Sequence, residues 1–70
     1  MSLFKHRFSH TDCNGGKHYQ IADAESGYWI RTVVYRGKAY RPYYIESTGE
    51  TVAGYPDTQD MQDYVTEWGL

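Results

Sequence analysis

The residues best suited to chemistry sit near the start of the chain, in the stretch HTDCNGGKH at positions 10–18. The single cysteine, Cys13, lies between His10 and His18, and the third histidine, His6, is four residues upstream of His10. Imidazole and thiolate are zinc ligands, so a metal-stapled loop is one chemistry these types can serve. Nucleophilic catalysis by Cys13 is another, and it requires a base, an oxyanion-stabilising group and an electropositive setting.

The spacing His10-x2-Cys13-x4-His18-x4-Asp23 resembles that of the zinc knuckle over 14 residues. It departs from the knuckle at two of four ligand positions, where His10 and Asp23 replace cysteines, and a single thiolate remains. The resemblance implies a zinc-stapled domain. Asn14-Gly15 supports a different account, because both central positions of a type I′ hairpin turn need positive φ and Asn-Gly supplies them best. A two-residue turn there pairs Asp12 with Lys17, His10 with Tyr19, Phe8 with Ile21 and His6 with Asp23. Strand side chains alternate faces, so His6, His10 and Asp23 fall on one face and Cys13 and His18 on the other. On that register the ligands diverge. The expectation is a turn, with no metal and no cofactor. The sequence also has no glycine-rich phosphate loop between a strand and a helix, and no Gly-x-Ser-x-Gly. The chain is therefore expected not to be an enzyme.

A turn needs strands to join. Aromatic and β-branched residues favour strands, and tyrosines at 19, 28, 35, 40, 43, 44, 55 and 64 supply much of the apolar material. The pattern predicts a hairpin over 3–24, with strands near 3–12 and 17–24. It predicts a second over 28–45 that turns at Arg36-Gly37, and a short strand over 51–55. Pro42 lacks an N–H, so its strand lies at an edge or carries a bulge there. The end of the chain changes character. Asp57 is placed to cap a helix, with Asp60 three residues on. Met61, Tyr64, Val65 and Trp68 then share one helical face, and Gly69 suits the stop. The helix is predicted over 58–68. The whole, 1–70, reads as one α+β domain: an antiparallel meander of four or five strands with a C-terminal amphipathic helix packed on the sheet.

Size and composition narrow the function classes. A chain of 70 residues buries a small core. No apolar run approaches the 18 residues of a membrane span, and MSLFKHRFSH has no apolar signal segment. One cysteine excludes an intrachain disulfide and fits a reducing compartment, so a cytoplasmic location is expected.

The net charge of −2 conceals a strong asymmetry. Residues 1–45 hold all seven Lys and Arg against three acids, whereas residues 46–70 hold six acids and no base. Two binding surfaces follow. The hairpin 28–45 gathers Trp29, Arg31, Tyr35, Arg36, Lys38, Tyr40 and Arg41, which suits a protein hot spot or a platform for stacked bases and phosphates. The helix carries Asp60, Asp63 and Glu67 as a stripe that can dock on a basic surface. The expected function is a non-enzymatic protein-binding module whose partner is a protein or complex with a basic surface. Size and missing motifs fit the inhibitors by which phage and mobile elements block host defence or nucleic-acid-processing complexes, in the manner of anti-CRISPR proteins. The alternative is single-stranded nucleic-acid binding through the 28–45 hairpin, and pairing as a homodimer is a further way to cover its aromatic face. No membrane partner is expected.

Overall fold

A computed structural model describes residues 4–23 and 25–70. Five strands, β1 (Phe4–Thr11), β2 (Lys17–Asp23), β3 (Trp29–Tyr35), β4 (Lys38–Ile45) and β5 (Glu50–Pro56), precede one helix, α1 (Gln59–Trp68). The strands form a single antiparallel sheet in the order β1-β2-β3-β4-β5. The chain is the α+β meander its patterning predicts. Positions 3 and 24, the outer bounds of the first predicted hairpin, lie outside the described residues.

The first turn is built differently from the two-residue type. Asp12 N donates to Gly16 O and Gly15 N donates to Asp12 O, at 2.9 and 3.1 Å. Gly15 has φ +87°, whereas Asn14 does not enter the left-handed region: among the described residues, Arg36 is the only non-glycine that does. This is a three-residue loop closed by a glycine bulge. Asp12 selects it, because its Oδ1 accepts from the backbone N–H of both Asn14 and Gly16 at 2.9 Å, a side-chain closure that Asn-Gly alone lacks. Lys17 therefore pairs with Thr11 and His18 with His10. A second irregularity between Phe8 and His10 shifts the rest, so that Phe8 pairs with Tyr19, His6 with Ile21 and Phe4 with Asp23. The expected pairs are corrected accordingly. The total shift for Phe8 and His6 is two residues, which preserves their face, while His10 moves to the face of His18.

The Arg36-Gly37 turn is the expected two-residue one. Both residues have positive φ, 52° and 79°, and Tyr35 pairs with Lys38. β3 and β4 stay paired only as far as Val33–Tyr40. The β4–β5 ladder is irregular between Tyr40 and Pro42, where proline removes a donor, and beyond it β4 continues with β5 alone.

The helix covers one face. Met61, Tyr64 and Val65 pack on Ile21, Val34 and Ala39, with Phe4, Tyr19 and Leu70 around them. Thr58, not Asp57, is the N-cap, and its side chain accepts from Met61 N. Gly69 closes the C-terminus in the left-handed conformation. The helix crosses the strands: Gln62 meets Ala39 on β4, while Tyr64 and Trp68 reach His6 on β1. β1 is an edge strand, and no described element lies beyond it to enclose the last turn of the helix. Trp68, expected in the core, is therefore 58% exposed.

The other face is not flat. Val33 is fully buried there, because the sheet coils and brings β5 toward the first turn. Asp12, Gly16, Tyr35, Val52 and Ala53 line one cleft, and Cys13 Sγ lies 3.7 Å from Glu50 Oε1.

Candidate functional site

The face away from the helix carries two cross-strand rows. Arg7, Gln20 and Arg31 stand side by side on β1, β2 and β3, and Lys5, Ala22 and Trp29 form the next row. The Arg7 guanidinium carbon sits 4.0 Å from the centroid of the Trp29 ring, and Lys5 Nζ lies 5.5 Å from it. Arg7 Nε donates to Gln20 Oε1 at 2.6 Å. Among the described residues only two ion pairs form, His18–Asp12 and Arg41–Asp57, so Lys5, Arg7 and Arg31 stay unneutralised. Together they make a basic patch with an indole at its centre.

The seven residues expected to act together on the second hairpin are divided. Trp29 and Arg31 belong to the patch just described. Tyr35, Arg36 and Lys38 lie at the far end of β3, where Tyr35 is about 13 Å along the strand from Arg31 and about 20 Å from Trp29 at ~3.3 Å per residue, and there Arg36 stacks on Tyr35. Tyr40 is half-buried and lines a groove with Gly37, Lys38, Pro56, Gln62 and Thr66. Arg41 is drawn to the helix side, where its Nε lies 3.3 Å from Oδ1 of the buried Asp57 carboxylate. Lys5 and Arg7 replace the lost members. Strand alternation in a β1-β2-β3 meander puts odd-numbered β1 residues beside Gln20 and Ala22, so the signal for them is present in the sequence.

On the helix, Asp60, Asp63 and Glu67 are all exposed. Gln59 Nε2 donates to Asp63 Oδ1 at 2.9 Å, and no basic residue occupies the last turn. The stripe spans about 10 Å at ~1.5 Å per residue. Beneath it, burial and then the negative Glu67 push the Tyr64 hydroxyl pKa up. Tyr64 is held by His6, whose Nδ1 lies 2.7 Å from the hydroxyl. The basic patch and the acidic stripe thus occupy opposite sides of the sheet. Of the described ion pairs, only Arg41–Asp57 joins the basic part of the sequence to the acidic part.

The histidines and Cys13 do not converge on a point. His10 and His18 stack with centroids 4.3 Å apart and planes 11° from parallel, which corrects their expected placement on opposite faces. Ser9 Oγ lies 2.9 Å from His10 Nδ1, and His18 Nε2 lies 2.8 Å from Asp12 Oδ2. Burial raises the Asp12 pKa, but the hydrogen bonds from His18, Gly16 and Asn14 and the charge of His18 outweigh it, and the net shift is downward. Cys13 is exposed, and its neighbour is the Glu50 carboxylate, the reverse of the electropositive setting a nucleophilic thiolate needs. Among the described residues, no group of three or more His, Cys, Asp and Glu side chains is arranged to hold a metal ion, and no helix is long and apolar enough to cross a membrane.

Comparison with known proteins finds no matching family model, no similar curated protein and no similar solved structure.

Proposed function

We propose that the protein is a non-enzymatic binding module that docks on a basic protein surface through the acidic side of α1. The observation that carries this reading is the unneutralised stripe Asp60, Asp63 and Glu67, which ends beside the exposed indole of Trp68. Charge complementarity of this kind steers association and sets register. A large, half-exposed aromatic at its end supplies the apolar anchor that interfaces concentrate their energy in. The partner class is a protein or complex whose basic surface serves nucleic acid, and occupying that surface inhibits it. This is the mode of action of a phage or mobile-element inhibitor, including the anti-CRISPR kind, acting in the cytoplasm.

The test is affinity capture from nuclease-treated lysate with two baits, the wild type and D60N/D63N/E67Q. Proteins held by the first and lost from the second support the reading. Proteins held equally by both oppose it.

One observation favours a second reading, single-stranded nucleic-acid binding at the basic patch: the stacked Arg7–Trp29 pair beside Arg31. The Arg7 guanidinium covers a ring that a base would use, and three cations give limited phosphate attraction, so this reading ranks second. Fluorescence anisotropy with labelled single-stranded DNA and RNA decides it. Binding that weakens steeply with salt and is lost in R7Q/R31Q would put nucleic acid first.

A further inference from the structure

A second site lies on the coiled face, independent of the helix. Ser9, His10, His18, Tyr19, Gln20, Arg31 and Thr51 enclose a cleft of about 200 Å³ between the first hairpin and β5. Its lining is uniform in one respect: it holds no carboxylate and many hydrogen-bond donors. Arg31 has no carboxylate within 4.0 Å among the described residues. The carbonyl oxygen of the Gln20 side chain is engaged by Arg7, which leaves its NH₂ group to donate. His10 Nδ1 is engaged by Ser9, and its Nε2 has no described partner. His18 is 7% exposed, and Asp12 takes its Nε2 and fixes the ring, while Nδ1 has no described partner.

We infer that this cleft binds the phosphoryl group of a small phosphorylated ligand, or free phosphate. The guanidinium of Arg31 matches phosphate geometry bidentately, and the Thr51 hydroxyl, the Gln20 amide and, with Nδ1 accepting from Ser9, the Nε2–H of His10 supply further donors. The volume suits a phosphoryl group more closely than a drug-sized molecule, whose pockets run to several hundred Å³.

Titration of the ¹⁵N-labelled protein with inorganic phosphate, and separately with a nucleoside 5′-monophosphate, tests the site by NMR at constant ionic strength. The inference expects saturable shifts confined to Ser9, His10, His18, Gln20, Arg31 and Thr51. It also expects an affinity at least about tenfold weaker in R31Q and unchanged in R36Q. Equal affinity for the two probes assigns the site to free phosphate, and tighter binding of the monophosphate assigns it to an organic phosphate. A linear response without saturation, or shifts spread equally over Lys5, Arg36 and Lys38, overturns the inference. So does an R31Q variant that keeps its native spectrum and its affinity. None of these outcomes bears on the helix-directed docking.

Discussion

Gln62 holds both backbone groups of Ala39: Ala39 N donates to Gln62 Oε1 at 2.8 Å, and Gln62 Nε2 donates to Ala39 O at 2.7 Å. Val34 and Ala39 face each other across β3 and β4, and the backbone groups of Ala39 turn outward to an edge that β5 has already left. One side-chain amide does the work of a strand there, and Asp57 N adds a further bond to Ala39 O. The helix is thereby fixed to the sheet by direction as well as by apolar contact. Replacing Gln62 with Leu keeps the volume, strands Ala39 N and leaves Ala39 O to Asp57 N alone. The loss of a partly buried pair of bonds is expected to cost about 2 kcal/mol, measured by chemical denaturation. An unchanged midpoint would mean water replaces the amide without penalty.

Asp12 makes stability depend on pH. Its pKa in the folded protein is below the ordinary value of 3.8, so the unfolded chain takes up the proton first. The stabilisation is fully present above about pH 4 and disappears as pH falls through the lower, folded value. D12N keeps an acceptor oxygen for the turn and loses the charge opposite His18. The variant is expected to be less stable than wild type at pH 7, with the difference narrowing below pH 4. Thermal melts at pH 7, 5 and 3 check this, and a constant difference would contradict it.

Gly16 is buried against its neighbours. A Cβ there falls 2.7 Å from Asp12 Oδ2 and 2.9 Å from Val33 Cγ1. G16A must displace the carboxylate that closes the turn or a fully buried valine. It is expected to destabilise by about 1–3 kcal/mol, while G15A is strained for a separate reason, its positive φ. A Gly16 variant as stable as wild type would show that the first turn is loosely packed.

Trp68 is expected to matter more to the proposed docking than to folding. With more than half its surface exposed, W68A is expected to cost about 1 kcal/mol, below the 3–5 kcal/mol of a buried large aromatic. Its larger effect is expected on partner binding. A loss of several kcal/mol in stability would instead place the indole in the core.

The strands and the helix were readable because their signals are local: β-branched and aromatic runs, Arg36-Gly37, the Met61–Tyr64–Val65 spacing and Gly69. Register was not. Asn14-Gly15 pointed to a two-residue turn, and the Asp12 carboxylate, reaching two N–H groups at once, selected a longer one. That longer loop moves His10 across the sheet to the face of His18, and the irregularity at Ser9, which nothing local announces, returns Phe8 and His6 to theirs. The candidate surfaces divided in the same way. The acidic stripe on α1 follows from helical spacing alone and could be drawn from the sequence. The basic patch depends on the pairing of β1, β2 and β3, which unites Arg7 with Trp29 and Arg31. Arg41 left the set because Asp57, 16 positions away in sequence, lies beside it once β5 leads into the helix.

The proposed docking contact is the acidic side of α1. The most direct measurement is a calorimetric titration of the captured partner with wild type, D60N/D63N/E67Q and K5Q/R7Q/R31Q at physiological salt. At least about a tenfold loss of affinity is expected for the helix variant, equivalent to ~1.4 kcal/mol, and little change for the patch variant. Full affinity in the helix variant, with loss in the patch variant, would contradict it and move the docking surface to the opposite side of the sheet.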